Sequence, residues 1–444
     1  MTARIGCDEC IRAGRGLPSI EPGMPTPAGT GLSRRAFVAK SLGLALSVYG
    51  VGKLGLFEEG IAAAAAAPQQ PILVTVFLEG GADALSLLYP DGDPLYRKLR
   101  PQLALAGGTP FAEDDRLHWH PALSPLAQLH GEGKVTVLPA VGYDHPDQSH
   151  FTSRHFWEVG ATDAHLLTGW MGRYLDAAGT PDNPLQGLSL TGSLQPTLAT
   201  VKVPVAAIDG PDQYDFWVPG VWGDVESRML DAIGLLGRGG ANDPASRTAA
   251  NVARQADTLR RQLAPFAGDT LTSPVAYPKV DDDFPHRLQG LAAMVAAGLP
   301  LRCVALEAAG EYDTHAGQAD ALAPALQTTA QSLYAFQRDL EARGVADRVL
   351  TLVWTEFGRR AAENGSGGTD HGAAGTGFLI GTRAAGTQVG EFPGLANGLD
   401  DDGNLRATSD FRGVYAALLE QWLDCDAARV LPDASRFARP TLVK

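Results

Sequence analysis

Residues Pro71-Ile-Leu-Val-Thr-Val-Phe-Leu-Glu-Gly-Gly-Ala-Asp83 decide the fold class. From Ile72 to Leu78 the run is apolar but for Thr75, and it stops at Glu79-Gly80-Gly81. A short, near-continuous apolar run suits a strand buried on both faces of a parallel sheet, whereas a half-exposed strand would alternate. Lys134–Pro139, Pro300–Leu306, Arg348–Trp354 and the shorter Phe378–Gly381 read the same way. Helical patterns run between them, notably over Leu322–Arg343 and His286–Ala297. Pro324 falls in the first turn of the longer one, where its missing N–H costs nothing. Strands alternating with helices predict an α/β fold with a mostly parallel central sheet flanked by helices. Residues 181–285 are rich in Gly, Pro and Asp, with one polar helix near Ser246–Leu263. They read as a cap inserted over one end of the sheet. A separate domain is the alternative, but no linker-like composition marks one off.

Upstream of this strand the sequence changes character. Ser33-Arg34-Arg35-Ala36-Phe37 opens a mostly apolar stretch to Phe57, and the alanine run Ala62–Ala67 follows, ending at Pro68. Charged, apolar and small-residue regions in that order spell an export signal, with the paired arginines giving its twin-arginine form and cleavage near Ala67. A membrane anchor is the alternative, since the stretch approaches spanning length. Lys40, Lys53 and four interspersed glycines weigh against it. Residues 1–67 thus read as a twin-arginine signal peptide and 68–444 as the α/β domain. The implied location is periplasmic or extracellular, with the twin-arginine export machinery as a transient partner and no permanent membrane span after cleavage.

The 444-residue chain is 45% hydrophobic and 19% charged, which excludes a wholly disordered, collagen-like or disulfide-scaffold protein. Thirty-six Lys and Arg stand against 50 Asp and Glu, a net charge of −14. Removing the leader takes away seven basic and five acidic residues, leaving 29 against 45. An acidic chain with no basic stripe does not attract nucleic acid. Cys7 and Cys10 leave with the leader, so a zinc-knuckle or redox role for them fails. Cys303 and Cys425 remain and could pair in an oxidising compartment, although the apolar run around Cys303 reads as a buried core thiol.

In open parallel sheets ligands bind beyond the carboxyl ends of the strands. After the first strand come Glu79-Gly-Gly-Ala-Asp83, and after the second Tyr143-Asp-His-Pro-Asp-Gln-Ser149-His150, opening a helix through Trp157. After the third comes Asp313-Thr-His315, and after the fourth Glu356-Phe-Gly-Arg359-Arg360, then Asp370-His371. Carboxylates and imidazoles converging from four strand ends suit a divalent cation, and the absence of cysteine there disfavours a thiolate site. The candidate metal ligands are Asp83, Asp313, His315, Glu356, Asp370 and His371.

Ser149 stands where a helix begins. An ordinary N-cap explains it most simply. The functional alternative is a nucleophile at a helix N-terminus, where free N–H groups favour an anionic substrate. His150 beside it could bind metal or substrate, and Arg359 could clamp a phosphate or sulfate. No G-x-S-x-G elbow is present, so a conventional serine-hydrolase triad has no support. Asn364–Gly368 lacks the lysine and spacing of a P-loop and reads as a loop carrying Asp370 and His371 inwards. Trp119, Trp157, Trp170 and Trp222 read as core or cap packing.

A twin-arginine leader, then Phe-Leu-Glu-Gly-Gly-Ala-Asp83, Gln-Ser149-His150-Phe, Tyr-Asp313-Thr-His315, Trp-Thr-Glu356-Phe-Gly-Arg359 and Gly-Gly-Thr-Asp370-His371-Gly together resemble one bacterial family. It is the exported "domain of unknown function 1501" family, which is similar to the alkaline-phosphatase-like superfamily of phosphatases, sulfatases and phosphomutases. The resemblance implies a central sheet flanked by helices, a two-metal site, and a nucleophile at the start of the helix after the second strand. Carried over, Ser149 matches the nucleophile, Asp313 and His315 an Asp/His ligand pair, Glu356 the carboxylate after the fourth strand, and His371 the late histidine ligand. Three departures stand out. Glu79 replaces the superfamily's aspartate, with Asp83 four positions later; Phe357 stands where a histidine belongs; and the spacing from Asp313 to His315 is short. Fewer nitrogen ligands widen the choice of ion to zinc, manganese, magnesium or calcium. The lack of a Cys-x-Pro-x-Arg segment disfavours a formylglycine sulfatase.

Two functions follow. One is an exported metal-dependent hydrolase of phosphate or sulfate esters, small or polymeric. Ser149 or a metal-activated water is its nucleophile, and Arg359 or His150 holds the anion. The other is a non-catalytic secreted protein on the same fold that recognises a surface polymer or partner protein. Clustering of the named side chains favours the first, and scatter the second.

Overall fold

The computed structural model describes residues 70–212, 224–237, 244–267 and 271–444. The leader, Cys7, Cys10 and Trp222 lie outside the described residues. β1 spans Ile72–Phe77 and is buried along its whole length, as its unbroken apolar run requires. The other strands of the main sheet are β2 (Val135–Gly142), β3 (Gly187–Ser189), β4 (Ala206–Ala207), β5 (Cys303–Glu307), β6 (Val349–Trp354), β7 (Gly375–Ile380) and β8 (Ser409–Asp410). They line up in the order β8-β2-β7-β6-β1-β5-β3-β4. β1 pairs in parallel with β5 and β6. Within the main sheet β7 alone runs against its neighbours, β2 and β6. Two reversals cancel, so β2 points the same way as β1, β5 and β6. All four carboxyl ends therefore open onto one rim.

Alternate residues of β1 feed two cores. Ile72, Val74 and Val76 face a cluster with Leu126 and Leu129 of α1 (Ser124–Gly131), Leu288 and Leu291 of α6 (Phe284–Ala296), and Leu326 and Leu333 of α7 (Gln318–Ala342). Leu73 and Phe77 face Trp157 of α2 (His150–Val159), Trp170 and Met171 of α3 (Trp170–Ala178), and Leu418 of α8 (Phe411–Gln421). The fold is thus three layers, helices on both faces of a mostly parallel sheet. Trp119, Trp157 and Trp170 are all buried, and Cys303 and Cys425 are buried free thiols. Burial pushes the Cys303 thiol up to about 12, which keeps it inert. Among the described residues no helix is long and apolar enough to cross a membrane.

Two expectations need correction. The cap drawn over residues 181–285 is redrawn, because β3 and β4 join the edge of the main sheet, β3 pairing with β5. What remains of that stretch includes α4 (Asp224–Leu236) and the polar α5 (Pro244–Leu263), which pack on each other. Strands of two and three residues are too short to leave a periodic pattern. Second, α7 begins at Gln318, a turn before the predicted start, so Pro324 sits inside it rather than in its first turn. The missing N–H removes one rung, to the Asp320 carbonyl.

A candidate metal centre

Asp313, in the loop after β5, is the hub of the rim. Its Oδ1 lies 2.5 Å from Arg359, 3.1 Å from His315 Nε2, 3.5 Å from His150 Nε2 and 3.6 Å from His371 Nε2. His150, Asp313 and His371 each offer a ligand atom, all within 4.8 Å of one another. That spread suits one central ion at metal–ligand bonds of about 2.0–2.2 Å. His315 Nε2 joins the group 2.9 Å from His371 Nε2.

The far nitrogen of each ring decides what the near one can do. His371 Nδ1 lies 2.7 Å from the Gln148 carbonyl, which can only accept. His150 Nδ1 donates to Glu356 Oε1 at 2.8 Å, and His315 Nδ1 faces Asp370 Oδ1 at 3.3 Å. With the hydrogen on Nδ1, each neutral ring turns a lone pair on Nε2 toward Asp313. Three imidazole lone pairs and a carboxylate oxygen converging on one spot repel each other unless a cation sits among them. Histidines whose second nitrogen is held by a carboxylate or carbonyl are what metal sites use to fix ring orientation. Burial would raise the Asp313 carboxyl, but the groups packed round it, the Arg359 charge among them, hold it well below its usual range.

The sequence near each strand end shows how these groups are held. Gly80 and Gly81 turn at φ +113° and +73° and present both N–H groups to Glu356, each at 3.0 Å. A Cβ on Gly80 would sit 2.4 Å from the Asp313 backbone, and one on Gly81 2.3 Å from the Phe357 ring. Only glycine permits both the conformation and the approach. Beyond β6 the chain doubles back, pairing Arg359 with His371, so His371 returns beside the strand end it left. Asn364 in that loop donates to the His315 carbonyl and to Asp370, tying two site loops together.

Several predicted residues land in other roles. Asp83 stands apart from the cluster: it is fully buried, and both its oxygens bind Arg100, with Ser86 and Gln318 adding hydrogen bonds. It is not placed to ligate. Glu356 accepts from Gly80, Gly81, Thr355 and His150, so it orients a ligand rather than serving as one. Burial alone would raise its carboxyl, but His150 and the Gly81 N–H hold it below the usual range. Arg359 cannot clamp a substrate anion. It is 1% exposed, and its guanidinium donates to the Gly80, Gly81 and Thr369 carbonyls and to Asp313. Asp370, with its side chain about half exposed, contacts His315 from outside the cluster.

Ser149 takes the N-cap position of α2, yet its side chain caps nothing. Asp147 accepts the Ser149 N–H at 2.8 Å instead. The Ser149 hydroxyl is buried with no hydrogen-bond partner among the described residues. One contributor went unnamed. The Gln148 carbonyl that fixes His371 is backbone and leaves no signature in sequence. Phe357 packs at 4.9 Å on His150 and 4.8 Å on His371, filling space where the wider likeness places a histidine.

Residues 227–411 match the family profile described as "Protein of unknown function (DUF1501)". The resemblance to DUF1501 holds. The matched stretch carries Asp313, His315, Glu356, Arg359, Asp370 and His371, while Ser149 and His150 lie before it. No curated protein matches the chain significantly. Similar solved structures include the zinc complex of the C-terminal periplasmic domain of EcEptC from Escherichia coli, at 9% identity and TM-score 0.37 over 84% of this chain and 86% of that one. The lipoteichoic acid synthase LtaP from Listeria monocytogenes gives 8% identity and TM-score 0.33 over 89% and 81%. The phosphonate monoester hydrolase SpPMH from Silicibacter pomeroyi gives 13% and 0.33 over 83% and 75%. Each likeness is distant, and the α/β architecture of the DUF1501-like chain stands on its own strand order.

Proposed function

We propose that this chain is an exported metal-dependent hydrolase of phosphate or sulfate esters, with His150, Asp313, His315 and His371 holding a divalent cation. The observation that carries the reading is the convergence of three Nε2 atoms on Asp313 Oδ1 with every Nδ1 already committed. Three nitrogen donors and one oxygen favour zinc or manganese over magnesium and calcium, which take oxygen ligands. A cation held there would polarise an ester oxygen and lower the pKa of a nearby hydroxyl or water.

The chain's own groups supply the rest. Ser149 presents a hydroxyl free of capping duty, at a helix start whose first N–H groups have no intrahelical partner. Those N–H groups would stabilise negative charge building on the ester. Arg359 is a positioning residue, holding Asp313 and the Gly80-Gly81 turn. Glu356 positions His150. The clustering supports an enzyme over a pure binding protein.

Export by the twin-arginine route and residues 1–67 as the leader belong to the same proposal, resting on the Arg34-Arg35 pattern. The test is to assay the mature chain on aryl phosphate, phosphodiester and aryl sulfate, with and without chelator, beside Ser149→Ala and His315→Ala. Metal-dependent turnover lost in both variants supports the reading. Absence of metal-dependent turnover on every ester class overturns it.

A further inference from the structure

A second cleft, lined by none of the cluster residues, lies between the start of α7, the 102–105 loop and the turn after His120. It encloses about 540 Å³, within the usual range for small-molecule sites. Leu103, Leu322 and Pro324 are among its walls, and Ser86 and Gln318 line its floor. No Asp, Glu, Lys or Arg lines it. The floor has nothing left to offer a ligand. The Gln318 amide donates to Asp83 and Ser86 and accepts from Thr314 and Thr369, while the Ser86 hydroxyl donates to Asp83.

His120 is different. It is 6% exposed, and its Nδ1 accepts the Ala122 N–H at 3.0 Å. That bond fixes the tautomer, leaving the proton of the neutral ring on Nε2. Burial holds the ring's pKa below its ordinary value, so the neutral form prevails at neutral pH. Among the described residues nothing accepts from Nε2–H. A buried, oriented imidazole therefore brings one unpaired donor to an uncharged cleft whose other polar side chains are the satisfied Ser86 and Gln318 and the exposed amides of Gln102 and Gln327.

We propose that this cleft binds a small, uncharged, largely apolar molecule through one carbonyl-type acceptor hydrogen-bonded to His120 Nε2–H. A charged ligand would meet no counter-charge, and a pure hydrocarbon would leave the donor unpaired. The inference is independent of the metal centre.

Acetophenone and ethylbenzene, alike in shape but differing in the carbonyl, are suitable probes by saturation-transfer NMR titration on the full chain. Acetophenone should bind saturably and about tenfold tighter than ethylbenzene, the worth of one hydrogen bond. His120→Phe should erase that difference, and Ala323→Phe, on the half-buried cleft side of α7, should remove binding of both. Failure of acetophenone to saturate, or a preference unchanged by His120→Phe, overturns the proposal. If His120→Phe does not fold, acetophenone binding that persists in Ala323→Phe overturns it equally.

Discussion

The Nε2 atoms of His315 and His371 lie 2.9 Å apart, each with its Nδ1 facing an acceptor. In water two such lone pairs would turn away from each other. Here the loops hold them together, because Gln148 pins one ring from behind and Asp370 faces the other. The arrangement makes sense as half of a coordination sphere.

Glu356→Gln removes the charge that holds His150 while keeping the shape. Loss of an outer partner of a metal-bound histidine typically costs about 10–100-fold in metal affinity. Metal titration of the variant should show a loss in that range with the fold intact. Glu356→Ala should be worse in a second respect, since it strands the Gly80 and Gly81 N–H groups at about 1–3 kcal/mol each. Equal metal affinity in Glu356→Gln and the parent would contradict the orienting role.

Asp83 and Arg100 form a fully buried pair. Removing one partner of such a pair costs about 3–5 kcal/mol, so Asp83→Asn should unfold at markedly lower denaturant. The pH dependence follows from the same contact. Burial would raise the Asp83 carboxyl, but Arg100, Ser86 and Gln318 outweigh it and lower its pKa. A lowered folded pKa means the stabilisation is fully present above the unfolded value of about 3.9 and is lost as pH falls through the folded value. Acid unfolding of the parent should therefore be steeper than that of Asp83→Asn, measured by circular dichroism below about pH 4.

Gly81→Ala meets two penalties, a positive φ and a Cβ 2.3 Å from Phe357. Backbone strain and overpacking together predict a loss of about 2–4 kcal/mol. Gly365, with open space around a Cβ and no positive φ, is the control and should stay within about 1 kcal/mol of the parent.

Ser149→Ala separates nucleophile from metal site. The hydroxyl has no structural partner among the described residues, so stability and bound metal should be unchanged. Turnover should fall about 100-fold or more if the hydroxyl attacks the ester. Turnover within a factor of two of the parent would assign the attack to water.

Much of this is legible in the sequence. Five strands announced themselves because a strand buried on both faces must be apolar throughout, and the rim followed from reading each strand's last residue onward. β3 and β4 did not, being too short and, at Ala206-Ala207, too bland. The reversed direction of β7 carries no mark in its composition either. At the site, residue types were readable but roles were not. Asp83, Glu356 and Arg359 looked like ligands and an anion clamp. Their true partners, Arg100 seventeen positions on and the glycine pair 275 and 276 positions back, are set by tertiary packing. A charged residue's role depends on whether its donors or acceptors are already spent, and sequence does not record that.

The central claim is that the three histidines and Asp313 hold a cation. Elemental analysis of the purified chain beside His371→Ala, with both proteins checked for native circular dichroism, tests it most directly. About one equivalent of zinc or manganese in the parent, falling below a tenth in the folded variant, is the predicted result. A parent that binds no divalent metal even after incubation with zinc and manganese, or a folded His371→Ala with the same content, would contradict it.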